Sequence, residues 1–158
     1  MRLYLVHHAE AKREDEDPAR PLTALGVQDA RRVARYATKQ GRVRVGRIFH
    51  SGKTRAEQTA RVWAESLLDA QVVHVDDLGP QADPTIWAER LATETSDVML
   101  VGHFPHLARL AARLLCAHDG EVLTPFNGGI TCLERTGLGR WAIHWMLAPD
   151  VIDDESGR

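Results

Sequence analysis

The stretch "YLVHHAEAK" (4–12) sets two adjacent histidines, His7 and His8, directly after an apolar run. Two further segments end in comparable chemistry. "HSGKTR" (50–55) carries Ser51 and Arg55, and "DVMLVGH" (97–103) ends in Gly102-His103. Each follows what reads as a strand. In open α/β sheets, functional groups gather at the C-terminal ends of strands. Neighbouring strands would therefore bring His8, Arg55 and His103 to one rim. Helix N-termini after Ser51 and His103 would add backbone N–H groups and partial positive charge. Two imidazoles, a guanidinium and two helix N-termini suit a doubly charged anion, and a phosphoryl group fits well. Arginine binds it through two parallel hydrogen bonds. A histidine can attack phosphorus and carry it as phosphohistidine, splitting one hard step into two.

The elements that must position these groups are legible in the hydrophobic pattern. "LYLV" (3–6), "VGRIFHS" (45–51), "QVVHV" (71–75) and "DVMLVGH" read as strands. "LTALGVQDARRVARYATKQG" reads as a helix with Thr23 as N-cap, Val27, Ala30, Val33, Ala34 and Ala37 on one face, and Gly41 at its end. "TRAEQTARVWAESLL", "PTIWAERLATE" and "PHLARLAARLLC" supply three more helices. "GGITCLER" and "RWAIHWML", separated by "TGLG", form a hairpin signal. Strands alternating with helices predict an α/β three-layer sandwich. Its central sheet is largely parallel, flanked by helices and finished by a C-terminal β-hairpin. Residues 1–150 read as a single domain, and 151–158 as a disordered tail.

Bulk properties exclude several classes. The 158 residues carry 20 Lys and Arg against 22 Asp and Glu, so no global field points to nucleic acid or an anionic membrane. No apolar run approaches a membrane span, and no signal sequence is evident. Cys116 and Cys132 lack metal-type spacing and read as small buried hydrophobes in a reducing compartment. The expected location is the cytoplasm.

"LYLVHHAEA", "DPARPLTALG", "HSGKTRAEQTA" and "DVMLVGHFPHL" occur in one order over nearly the whole chain. In that order they resemble the histidine phosphatase (phosphoglycerate-mutase-like) superfamily, and within it the small phosphohistidine phosphatases of the SixA type. Each motif alone is weak; four in order at this length are a strong signal. The resemblance implies that His8 is the phosphorylated nucleophile, that Arg55 binds the phosphoryl oxygens, and that His103 contacts them and stabilises transition-state charge. It implies that Arg20 faces the pocket and that Ser51 opens the phosphate-side loop. It implies no metal and no organic cofactor. The implied partner is a phosphorylated histidine-containing protein in a signalling or phosphotransfer system, or a small phosphorylated substrate.

The chain departs from the family pattern twice. The first motif residue, arginine in the family, is His7, and the glycine after the nucleophile is Ala9. Ala9 matters little unless its backbone needs a positive φ. His7 matters more, because an imidazole offers fewer donors and its charge fades near pH 6.5. Giving up a charged phosphate contact costs ~2–4 kcal/mol, or ~30- to 1000-fold in rate. That leaves either a slow enzyme or a phosphate- or phosphohistidine-binding module on the same fold. For His7 three roles stand open: phosphate contact, orienting partner for His8, or packing. A leaving alkoxide needs a general acid, and the region after the third strand offers Asp76, Asp77 and Asp83. Asp83, in "GPQADP", is the best placed, with a helix N-cap as the competing role. A protonated phosphohistidine needs less acid help. His74, His106, His118 and His144 read as structural or surface residues, and Lys53 as a surface lysine able to attract an anion. The four tryptophans read as packing. A Zn²⁺ site from His7, His8, His103 and His106 is disfavoured, because adjacent strand residues point to opposite faces.

Overall fold

The computed structural model describes residues 1–124 and 126–152. Six strands form one sheet in the order β3-β2-β4-β1-β5-β6. They are β1 (Arg2–His7), β2 (Arg47–His50), β3 (Gln71–His74), β4 (Val98–Gly102), β5 (Ile130–Arg135) and β6 (Trp141–Leu147). β1 to β4 are parallel, while β5 pairs antiparallel with both β1 and β6. The four helices are α1 (Ala24–Lys39), α2 (Thr54–Ala64), α3 (Pro84–Thr93) and α4 (His106–Cys116). The fold class is the α/β sandwich that the sequence predicts, closed by the expected hairpin.

β1 and β4 lie inside the sheet and are apolar on both faces, as strands covered on both sides must be. On one face Tyr4, Val6, Met99 and Val101 pack with Val33, Ala34 and Ala37 of α1 and Ala56, Ala60 and Trp63 of α2. On the other, Leu3, Leu5, Val98 and Leu100 pack with Trp87 and Leu91 of α3 and Leu107 and Leu110 of α4. The period of two along each strand thus sorts side chains into two cores. α1 starts where expected, with Thr23 Oγ1 accepting the Gly26 N–H at 3.0 Å. Gly26 is also a packing requirement: a Cβ there would collide with the Glu10 carbonyl oxygen.

Three expectations shift. α2 ends at Ala64 rather than Leu68, and Leu68 is 96% exposed. Cys116 is exposed at the end of α4, whereas Cys132 is buried in β5 as expected. Ile152, placed by sequence in the tail, is only 8% exposed and joins the core beneath α1 and α2. The remaining tail residues, 153–158, lie outside the described residues. No helix among the described residues is long and apolar enough to cross a membrane.

Candidate active site

Strand order explains the site. β2, β4 and β1 are consecutive and parallel, so their C-terminal ends deliver Ser51, His103 and His8 to one rim. β1 and β4 are in register with His7 opposite Gly102, and the His8 N–H reaches the Gly102 carbonyl at 3.1 Å. The His8 and His103 rings then lie 5.0 Å apart, centroid to centroid. α2 starts four residues after β2 and places Arg55 in its first turn, where Arg55 Nε–H donates to His8 Nε2 at 3.1 Å. A cation in the first turn opposes the helix dipole, a conflict that an anion would remove.

His8 is held at both nitrogens. Its Nδ1–H donates to the Ala9 carbonyl at 2.8 Å, which leaves the lone pair on Nε2. Burial pushes its pKa down to about 3, against the raising effect of the Ala9 bond, and the nearby His7, Arg55 and Arg20 lower it further. The ring is therefore neutral at physiological pH, the form a nucleophile needs. His103 is 2% exposed, and burial, then His8 and Arg55, push it to about 2. Its Nε2 lies 2.6 Å from Ser51 Oγ, while its Nδ1 is buried with no partner among the described residues.

Arg20 reaches the same neighbourhood, since its charge bears on both His8 and Arg55. Its backbone is left-handed, with φ 49°, and its Nε donates to the Lys12 carbonyl at 3.2 Å. A non-glycine residue in that region costs on the order of 1–2 kcal/mol, which the loop tolerates where it aims this guanidinium. Lys53 precedes α2, and its charge reaches His103. His7 sits edge-on to His8 with ring centroids 4.6 Å apart. The expected divergence of the two side chains fails because β1 stops at His7, so strict alternation no longer governs His8. Ala9 has no positive φ, and the missing glycine is accommodated.

Asp83 opens α3. Its carboxylate caps α3, accepting the Thr85 N–H at 2.8 Å, and that bond holds its pKa below the usual range. A carboxylate that gives up its proton so readily is a poor general acid near neutrality. Asp77 is held by Trp87 Nε1 at 2.7 Å and Arg90 at 2.6 Å, and Asp76 lies 3.3 Å from His74. We expect Asp83→Asn, which preserves a capping side chain, to change turnover by less than about threefold. A loss of ~10²-fold or more would restore Asp83 as the proton donor.

The other histidines are structural. His50 Nδ1 accepts the Gly52 N–H at 3.1 Å, and its ring stacks on His74. His106 is fully buried, and neither ring nitrogen has a partner among the described residues. Burial pushes its pKa to about 4, although Asp77 and Asp83 pull it up and Arg109 pushes it down. Below about pH 6.5 the unfolded chain takes up a proton that folded His106 refuses, so stability falls as pH drops towards 4. The slope is at most about 1.4 kcal/mol per pH unit for this one group. His106→Leu removes both the unsatisfied nitrogens and the slope. Urea unfolding should show the variant more stable than the parent at pH 5, by a margin that shrinks at pH 7. Equal margins at both pH values would show that His106 does not carry this linkage.

Two polar side chains of α2 hold backbone near the site, and the sequence alone gives neither a role. Thr59 Oγ1 accepts the Ala9 N–H at 3.1 Å, and Gln58 Oε1 accepts the Leu22 N–H at 2.7 Å. Both lie within "RAEQTA", but only the tertiary structure shows what they hold.

Comparison with known proteins bears on the fold. The family model of the histidine phosphatase superfamily (branch 1) matches residues 3–80. No curated protein matches in sequence. Among solved structures, the protein histidine phosphatase SixA complexed with tungstate superposes with a TM-score of 0.81 at 24% identity, covering 95% of this chain and 98% of that one. A SixA from Agrobacterium tumefaciens gives 0.76 at 27% identity, covering 94% and 97%. A mycobacterial glucosyl-3-phosphoglycerate phosphatase with bound VO3 gives 0.73 at 18%, covering 93% and 99%. In sequence over residues 3–80, and in fold over nearly its whole length, the chain resembles the histidine phosphatase superfamily.

Proposed function

We propose that the protein is a phosphohistidine phosphatase that works through a covalent phosphohistidine on His8. One observation carries the reading. Two neutral imidazoles stand 5.0 Å apart, and the charged groups that weigh most on them, Arg20, Arg55 and Lys53, are all cations. Such a cluster favours a dianion. The neighbours that resemble this chain include one named as holding tungstate, a tetrahedral oxyanion like phosphate, and one VO3, which has the three-oxygen composition of metaphosphate.

In this reading Nε2 of His8 attacks phosphorus while Arg55 turns from Nε2 to the phosphoryl oxygens. The P–N bond of the substrate breaks, and its electron pair returns to an imidazole nitrogen of the substrate. Water then attacks phospho-His8, releasing inorganic phosphate and restoring the Nε2 lone pair. His103, backed by Ser51, stabilises the charge on the transferring group. Phosphohistidine is favoured over an alkyl phosphate ester because Asp83 caps α3 and Asp77 is held by Trp87 and Arg90. A protonated imidazole leaves with little acid assistance. The partner is a protein phosphorylated on histidine, in a cytoplasmic signalling or phosphotransfer system.

The test measures phosphate release from a phosphohistidine protein and from a small alkyl phosphate, across pH 5 to 9. Release from the first at a kcat/KM at least tenfold higher supports the reading. No turnover on either, with phosphate still raising the Tm, would overturn it in favour of a binding module, the reading that His7 in place of arginine favours.

A further inference from the structure

Four hydrogen bonds close a ring through the site. Arg55 Nε–H donates to His8 Nε2 at 3.1 Å, and His8 Nδ1–H donates to the Ala9 carbonyl at 2.8 Å. The Ala9 N–H donates to Thr59 Oγ1 at 3.1 Å, and the Thr59 hydroxyl donates to the Arg55 carbonyl at 2.7 Å. We propose that Thr59 is a positioning residue, which sets the tautomer and direction of the His8 ring and ties it to Arg55. The catalytic part of this inference rests on the phosphatase reading above; the structural part does not.

The chemistry of the hydroxyl makes the ring directional. Thr59 spends its single proton on the carbonyl four residues back along α2, so its lone pairs are left for the Ala9 N–H. Ala9 is fully buried, and so is Thr59, so water does not compete for either bond. The Ala9 N–H and carbonyl flank one Cα, so the bond to α2 fixes the position from which that carbonyl accepts from His8 Nδ1. An acceptor fixed at Nδ1 requires the proton there, which leaves the Nε2 lone pair for phosphorus. Because α2 supplies both Thr59 and Arg55, the nucleophile and its phosphate-binding partner share one rigid support. The ring thus converts a helical i, i+4 spacing into a fixed relation between two reacting groups.

The test compares Thr59→Val, which has the same shape without the hydroxyl, with Thr59→Ser, which keeps it. Misplacement of a reacting group by about 1 Å costs up to ~10²-fold. Thr59→Val should lower kcat on a phosphohistidine protein by about 10- to 100-fold with KM changed less than about threefold, and Thr59→Ser should stay within about threefold of the parent. ¹⁵N NMR of the His8 ring should show the Nδ1–H tautomer in the parent and in Thr59→Ser, and a mixture in Thr59→Val. A parent ring in the Nε2–H form would overturn the proposal, and so would Thr59→Val keeping both the tautomer and kcat within twofold. An equal loss in Thr59→Ser and Thr59→Val would do so as well. If the parent shows no turnover, the phosphatase reading fails while the NMR comparison still decides the role of Thr59. If Thr59→Val does not fold, the parent tautomer and the Thr59→Ser activity decide it.

Discussion

His8→Ala is expected to lower phosphate release by at least ~10³-fold and to abolish phosphorylation of the protein. The magnitude follows from the role: removing a nucleophile deletes the covalent path, whereas removing one charged group weakens only one interaction. The fold should survive. His8 is partly exposed, its neighbours on β1 are anchored by pairing to β4 and β5, and its buried ring is a cost to stability at low pH. Circular dichroism and a phosphate-induced rise in Tm would separate loss of chemistry from loss of structure. Residual turnover above about 1% of the parent would mean that another group attacks phosphorus.

His7→Arg should act in the opposite direction. His7 ends β1, its carbonyl accepts the Gly128 N–H at 3.2 Å, and its ring lies against that of His8. An arginine there brings a charge that pH does not remove. An imidazole's charge depends on pH and a guanidinium's does not, so the gain should be larger at pH 8 than at pH 5.5. At the higher pH we expect a rise in kcat/KM of ~30- to 1000-fold, which is what one permanent cation on the transferring phosphoryl group contributes. The ratio of variant to parent should therefore grow with pH. A ratio that is flat across pH 5.5 to 8 would show that the charge of His7 is not what limits the enzyme.

Much of this is legible in the sequence because it depends on local rules. The apolar runs of β1 and β4, the Thr23 cap and the order of the motifs each rest on period, propensity or spacing. Parallel strand order then places His8, Arg55, His103 and Ser51 together without further information. What the sequence hides depends on where elements stop and on what they touch. β1 ends one residue before His8, so the faces of His7 and His8 converge. α2 ends at Ala64 and Leu68 beyond it is exposed, which periodicity alone does not reveal. Asp83 carries two competing roles in sequence, and the Thr85 N–H favours the cap. Thr59 is invisible as a functional residue until Ala9, fifty positions away, is seen to donate to it.

The central claim is a phosphoryl group carried on His8. Brief mixing with a ³²P-labelled phosphohistidine protein, alkaline quenching and peptide mapping would test it most directly. The account predicts a phosphoramidate, stable in alkali and lost in acid, on the peptide containing His8, and none on the peptide containing His103. Turnover with no such intermediate, or label on His103, would contradict it.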